Sequence, residues 1–500
     1  MSADKCGRRR LRGPRAVIAA GALLALSALL PVQAWVLPER FDPLDTVPAV
    51  LGAGVVLPGD SAAFACAALP GTGERLDLSG VLDLALCHNP QVQAALAAVA
   101  LRASSVGEAR AASLPTLAAT FSQLKNRTAY PDFEDTNSSR YGPSSSLNLS
   151  WRLLDFGGRR AGQDAASQGL LSALAGHEAA IQKMLSAVIR AYFEAVLAKS
   201  ALDLKTQTVA SSAAMLGSIA ERQRKGVAAQ GDVLQAKTVL LKDRLNAQRA
   251  EGDYQKALAA LANGVGAPAG TALNLSEYVD QGDQPDSLRP APDWLDFAQR
   301  SHPAIVSAQA QLAEVEKRVQ VARSERLPSV DLTGSRTTNG TPGQALATRR
   351  SVVTTVGVVL NVPLFDGFSR TYKLRGALAQ VELERAQLSE AVQQVRAQIL
   401  QAHADAQAAR LNLGASAELL TTAELSAATA ARRYDKGAAD IQELLGTQAA
   451  LLQARQERLR CLVDWRSAYR QLLANAGVLG RSRAVSVAGD VLHTPELKLP

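Results

Sequence analysis

The chain has 500 residues, with 54 Lys or Arg against 46 Asp or Glu, and only 4% of them are aromatic. So few aromatic side chains exclude a nucleic-acid surface that works by base stacking. The four cysteines are scattered, so we predict neither a disulfide framework nor a zinc-ligand spacing.

Residues 1–34 have the pattern of an export signal. Six basic residues precede the apolar run Ala16–Leu30, and Val32-Gln33-Ala34 forms a cleavage site of the small-x-small type. The run has 15 residues, whereas a membrane-spanning helix needs about 20. Removing the signal lowers the formal charge from +8 to +3, so no nucleic-acid partner is predicted. No cysteine follows in a lipobox, and no later apolar stretch approaches about 20 residues.

The rest of the chain consists of two similar halves. Leu114-Pro115 recurs as Leu327-Pro328, Lys225-Gly226 as Lys436-Gly437, and Ala262-Asn263 as Ala474-Asn475, at offsets of 211 to 213 residues. A steady offset indicates a duplicated unit. We therefore predict an N-terminal extension at 35–75, a first repeat at 76–266, a linker at 267–290, a second repeat at 291–480 and a C-terminal tail at 481–500.

Each repeat is predicted to start with a helix that breaks before a proline, at Pro90 or Pro303, because the residue preceding proline is pushed out of the helical region. Two strands follow. Apolar residues alternate with Ser146, Asn148, Ser150 and Arg152, and with their counterparts in the second repeat, at the period of two that is typical of strands. The predicted apolar, lipid-facing set is Leu147, Leu149, Trp151, Leu153, Val356, Val358, Leu360 and Val362. Partner strands are predicted at 116–125 and 329–338, with polar outer loops at 126–143 and 339–350.

Long helices with heptad-type spacing come next in each repeat. Residues 160–224 alone would extend roughly 98 Å at about 1.5 Å per residue, which no compact globular domain requires. Gly226 and Gly437 each lie where one helical pattern stops and another begins, so both predict a helix-hairpin turn.

No catalytic constellation, cofactor site or metal site is predicted. His177-Glu178 begins like a zinc-protease motif, but Ile181 occupies the position of the second histidine ligand. An enzyme is therefore the least favoured class of function.

Four amphipathic strands cannot close a membrane barrel, and open strand edges are not tolerated in lipid. The smallest membrane barrels have about eight strands, so several copies must share one barrel. The pattern therefore predicts a homo-oligomer in contact with outer-membrane lipid.

Several motifs carry a more specific resemblance. They are Asn89-Pro90, Ala109 to Pro115, Leu153-Leu154-Asp155-Phe156-Gly157-Gly158, and Arg433-Tyr434-Asp435-Lys436-Gly437 followed by Ile441 to Leu445. In this order, over residues 76–480, the chain resembles the TolC-like outer-membrane factor family. The resemblance implies a homotrimer with a 12-strand β-barrel, a periplasmic α-helical barrel, a periplasmic adaptor protein and an inner-membrane transporter.

The resemblance also implies roles at the periplasmic tip. Asp232 and Tyr434 match positions that link hairpins and hold the tip shut, and Glu443 matches an acidic ring at the mouth. The turns with Gly226, Gly437 and Asp440 are expected to contact the adaptor. Ala439 stands where a gating arginine would be expected.

Since no lipobox is present, we favour type I secretion of a protein such as a toxin, with an ABC transporter as partner. The alternative within the same class is the outer-membrane component of a multidrug efflux pump. The alternative of another class is a periplasmic coiled-coil structural protein, which would not need the alternating strand at 145–153.

Overall fold

The computed structural model describes residues 42–46, 66, 75–128, 138–268, 271, 273–275, 288–340 and 350–479. Residues 1–46 form one unit, in whose described part the Thr46 amide donates a hydrogen bond to the Asp42 carboxylate at 2.6 Å. Residues 47–500 form the second unit, to which all the following belongs. The predicted signal at 1–34 and tail at 481–500, with most of the predicted extension and linker, lie outside the described residues.

The two predicted repeats contain matching elements in the same order. The first has β1 (Arg75–Leu76), α1 (Leu78–His88), α2 (Pro90–Ala111), β2 (Thr116–Thr128), β3 (Ser138–Leu154), α3 (Gly158–Arg224) and α4 (Gln230–Val265). The second has β4 (Asn274–Leu275), α5 (Ala291–Ser301), α6 (Pro303–Ser324), β5 (Ser329–Asn339), β6 (Ser351–Asn361), α7 (Ser369–Asp435) and α8 (Ile441–Asn475). The predicted order of helix, strand pair and long hairpin is thus found twice.

The proline breaks have a clear local cause. Asn89 and His302 have extended backbones with ψ near 122° and 124°, which is the conformation that a following proline imposes. Pro90 and Pro303 then occupy the first helical position, where the missing N–H costs nothing.

Four strands form one antiparallel sheet in the order β2-β3-β5-β6. The predicted loop at 126–143 is too long, since β2 continues to Thr128, which pairs with Ser138 at the start of β3. The predicted loop at 339–350 overlaps the strands only at Asn339, the last residue of β5. Polar residues extend these strands because the ladder bonds belong to the backbone. The remaining connections, 129–137 and 341–349, lie outside the described residues.

One long helical hairpin occupies the other end of each repeat. α3 and α7 have 67 residues each, and they return as α4 with 36 residues and α8 with 35. Gly226 and Gly437 have φ of 78° and 70°, the left-handed conformation that glycine adopts most readily. Both predicted hairpin turns are confirmed.

The main apolar core lies midway along α3 and α7, where α1 and the C-terminal ends of α4 and α8 pack against them. Its fully buried members include Leu86, Ile181, Leu185, Leu261, Ile399 and Leu472. Each such side chain contributes about 1.5–3 kcal/mol relative to exposure, so this region holds the two repeats together.

The cysteine prediction was wrong in one respect, because Cys66 and Cys87 form a disulfide. The bond ties the predicted N-terminal extension to α1. Sequence reasoning missed it because a single pair 21 residues apart has no recognisable framework spacing. Cys461 is free and buried.

Within the described residues, no single helix is both long and apolar enough to cross a membrane. One bent pair, α1 with α2 at 45°, meets the length and composition test only when taken together.

Candidate functional site

One face of the four-stranded sheet is apolar and exposed. The register places Leu149, Gly334 and Val356 in one row across β3, β5 and β6. Trp151, Leu332 and Val358 form the next row. The predicted set from Leu147 to Leu360 therefore shares one face, because residues directly opposite each other in a ladder point the same way.

Two members of the predicted set need correction. The register shifts between Arg152 and Leu154, so Leu154, not Leu153, pairs with Val330. Leu153 is the extra residue of this bulge. Val362 follows the last residue of β6 and is not in the ladder.

Arg159 explains the bulge at the end of β3. Its guanidinium donates to the carbonyl oxygens of Arg152 at 2.6 Å and Leu153 at 3.2 Å, and it pairs with Asp155 at 3.0 Å. Asp155 also accepts from the Arg159 backbone N–H at 2.8 Å, which caps the start of α3. The strand can therefore leave its ladder without losing hydrogen bonds.

The opposite face of the sheet carries mainly hydroxyl and amide groups. The register aligns Asn148 with Ser335 and Thr355, and Ser150 with Thr333. At the helical end of this face, Arg152 pairs with Asp331 at 2.9 Å. Among these residues this face is polar without a large excess of either charge.

Sequence reasoning missed part of the apolar face. Leu117 and Phe121 on β2 are 66% and 83% exposed, and they pair with Leu149 and Ser145 of that same face. Alanine and serine interrupt the alternation in β2, so only the register reveals these two residues.

The second candidate region is the tip formed by the turns of the two long hairpins. Asp440 caps α8, since its carboxylate accepts from the Glu443 backbone N–H at 2.7 Å. Asp232 stabilises the turn of the first hairpin, where its carboxylate accepts a hydrogen bond from the Ala229 N–H at 3.1 Å. Both predicted acidic residues therefore fix the local geometry of their own turns.

Asp232 and Tyr434, the two residues expected to link hairpins, form no direct hydrogen bond with each other within the protomer. The Asp232 carboxylate accepts a backbone N–H of its own turn. The Tyr434 ring lies under Arg222, with 4.6 Å between the guanidinium carbon and the ring centroid. Asp232 is still close enough to act on Tyr434 electrostatically. Burial raises the pKa of Tyr434, the charges of Asp232 and Asp435 raise it further, and Arg222 opposes them.

Glu443 is paired at the same tip. Arg433 approaches its carboxylate at 2.6 Å and also donates to the Ala438 carbonyl at 3.1 Å. The acidic group expected at the mouth thus has a basic partner ten residues earlier in the chain, near the end of α7. Sequence reasoning identified Arg433 as part of the motif but not as this partner.

A small apolar cluster lies just behind the two turns. Ile219 and Ala236 come from the first hairpin, and Ile441 and Leu444 come from the second. Tyr434 packs against this cluster. Side chains from both hairpins therefore exclude water at one place near the tip.

No group of His, Cys, Asp and Glu suited to hold a metal ion occurs in the described part of the chain. The two candidate regions are thus a two-faced sheet and a charged helical tip.

Comparison with known proteins gives a consistent result. The profile described as Outer membrane efflux protein matches residues 81–267 and 294–478. Protein CyaE of Bordetella pertussis is 34% identical over 424 residues, covering 84% of this chain and 88% of the relative. Alkaline protease secretion protein AprF of Pseudomonas aeruginosa is 24% identical, covering 82% and 87%.

Solved structures show the same fold. The Campylobacter jejuni CmeC outer membrane channel aligns with a TM-score of 0.70 at 20% identity, covering 86% of this chain and 96% of that one. The outer membrane protein VceC of Vibrio cholerae aligns with a TM-score of 0.68 at 20% identity, covering 80% and 96%.

The fold and the two-faced sheet define a channel protein, and the chain belongs to the outer membrane efflux protein family. Its fold is that of the TolC-like trimeric outer-membrane channels, with a helical part in the periplasm. Such channels work with a periplasmic adaptor and an inner-membrane transporter, and they are not enzymes. The alternative of a periplasmic coiled-coil structural protein is therefore wrong.

Proposed function

We propose that this channel is the outer-membrane exit of a type I secretion system, which passes a protein such as a toxin from an ABC transporter and its adaptor to the cell exterior. The observation that carries the proposal is the match over most of the chain to proteins that include an alkaline protease secretion protein. The hydroxyl-rich face of the sheet supports it, because a polar lining without a large excess of either charge suits an extended polypeptide of varied sequence.

The second candidate is export of small molecules. Pyoverdine export outer membrane protein OpmQ of Pseudomonas aeruginosa is 26% identical over 393 residues, so the same fold serves that purpose elsewhere. The inner-membrane partner distinguishes the two functions. Cross-linking in intact cells, followed by purification of the full-length channel, should recover an ATP-binding transporter. Recovery of a proton-driven pump in its place would contradict the proposal.

The apolar face of the sheet is proposed to contact outer-membrane lipid, with the hydroxyl-rich face lining the pore. Strand β6 has 11 residues, which extend roughly 36 Å at about 3.3 Å per residue. At a tilt of about 40°, this length covers the apolar band of about 25 Å found in membrane barrels. Val356 and Val358, which are 75% and 64% exposed, are then covered by lipid.

The hairpin tip is proposed to be the periplasmic gate. Tyr434 and Asp232 lie on different hairpins and are proposed to help hold the pore closed. Glu443 contributes one carboxylate per protomer to the mouth. The turns at Gly226, Gly437 and Asp440 are the proposed adaptor contacts. They suit this role because their backbones are exposed and held in one conformation by the capping carboxylates.

A further inference from the structure

Arg222 and Arg433 occupy equivalent positions in the two repeats, 211 residues apart, yet they make different contacts. Arg433 forms an ion pair with Glu443 of the same hairpin. The residue equivalent to Glu443 in the first hairpin is Asp232, whose carboxylate accepts a backbone N–H of its own turn. Arg222 makes no such local pair with Asp232 and reaches the second hairpin.

Three contacts join Arg222 to the end of α7. Its guanidinium carbon lies 4.6 Å from the centroid of the Tyr434 ring. One terminal nitrogen donates to the Tyr434 carbonyl at 3.3 Å, and the other lies 3.4 Å from the Asp435 carboxylate. The Arg222 side chain is only 23% exposed, so most of it is enclosed by these contacts.

The surroundings strengthen the ring contact more than the ion pair. Tyr434 packs on the apolar cluster that includes Ile219 and Leu444, and a cation over an aromatic face gains strength when water is excluded. Asp435 is 76% exposed, so salt screens its attraction for Arg222. The planar guanidinium suits stacking on the ring better than an ammonium group would.

We propose that Arg222 is a latch that joins the two hairpins of each protomer at the tip and so sets the balance between the closed and open pore. The proposal rests on the gate proposed above. Arg222 acts as a positioning residue, since it acts through Tyr434 and need not touch the exported molecule.

The test uses full-length trimers extracted from the outer membrane and inserted in planar bilayers. Arg222→Gln should raise the open-to-closed ratio roughly 2- to 30-fold for each protomer, the range that corresponds to loss of one cation–π contact per protomer. The matched control is Arg224→Gln, which removes the same charge from an exposed residue of the same turn and should leave the ratio unchanged. If the two variants behave alike, the latch is wrong.

Two further measurements separate a latch from a general structural effect. Combining Arg222→Gln with Tyr434→Leu should open the pore little more than either change alone, since both remove one contact. Additive effects would overturn the proposal. Spin labels at Lys225 and Lys436, both exposed in the two turns, should move apart in Arg222→Gln, and an unchanged distance would also overturn it.

Assembly is checked independently by gel migration of unheated trimers. If Arg222→Gln does not assemble, Arg222→Lys takes its place. This variant should raise the open-to-closed ratio by a smaller factor, and a ratio equal to that of the parent would contradict the latch. None of these measurements requires the transporter. Results that contradict the latch would therefore leave the secretion proposal intact. A channel that serves a different transporter would still show the effect of Arg222→Gln on the open-to-closed ratio.

Discussion

Asn89 and His302 occupy the same position in the two repeats, and each connects the start of one helix to the end of another. Asn89 accepts from the Gln91 N–H at 2.8 Å and donates to the Gly264 carbonyl at 2.7 Å. An amide and an imidazole thus perform the same task, but only the imidazole can be protonated.

His302 should make the protein sensitive to acid. Its Nδ1 accepts from the Ala304 N–H at 3.2 Å, and a backbone hydrogen bond joins it to Asn475, which suits the neutral ring with the proton on Nε2. Burial lowers the pKa of His302 below its ordinary value of 6.5, although the bond to Asn475 opposes the shift. Because the folded pKa is depressed, stability should be complete above about pH 6.5 and decrease as the pH falls towards the folded pKa.

His302→Asn introduces the residue that the first repeat already uses. We expect the midpoint temperature of unfolding of the solubilised trimer to depend less on pH below about 6.5 in this variant than in the parent. Buried His177, whose pKa burial also lowers, remains in both proteins, so some dependence should persist. Identical pH profiles for the two proteins would show that His302 does not titrate on unfolding.

The assignment of the lipid face predicts a strong asymmetry between the two sides of the sheet. Val358→Arg should impair assembly in the outer membrane, because a basic side chain at mid-bilayer costs about 2–4 kcal/mol on that face. Asn148→Arg introduces the same side chain on the opposite face and should be tolerated. Trimer yield in isolated outer membranes is the measurement, and equal yields of both variants would refute the assignment.

The pairing of Glu443 with Arg433 predicts opposite effects on ion selectivity. Glu443→Ala removes a carboxylate from the proposed mouth and should lower the preference for cations. Arg433→Gln removes the partner that neutralises this carboxylate and should raise the preference. Reversal potentials in a salt gradient measure both, and shifts of the same sign would exclude a ring of Glu443 at the mouth.

The proposed adaptor contact predicts a defect that depends on side-chain size at Gly437. No atom lies within 4 Å of a Cβ placed there, so a side chain meets only solvent or a partner. With φ at 70°, any substitution strains the turn by about 1–2 kcal/mol. Gly437→Ala carries this strain alone and should still export, whereas Gly437→Trp should block export with trimers intact. Equal export by both variants would place the adaptor contact elsewhere.

The sequence predicted what depends on local pattern. Alternation predicted β3 and β6, and the proline and glycine positions predicted the helix breaks and hairpin turns. Contacts made by individual side chains were not predictable. The bulge at Leu153 depends on Arg159, only six residues away, but no repeating pattern marks that contact. The Cys66–Cys87 bond has no framework spacing, and Arg222 meets Tyr434 across 212 residues.

The most direct test of the central claim is to compare the proteins secreted by a strain that lacks this channel with those secreted by the parent strain. Mass spectrometry of culture supernatants should show the loss of one or a few large proteins, restored by the parent gene, with unchanged sensitivity to antibiotics and detergents. An unchanged set of secreted proteins together with increased sensitivity to such compounds would contradict type I secretion and identify the channel as part of an efflux pump.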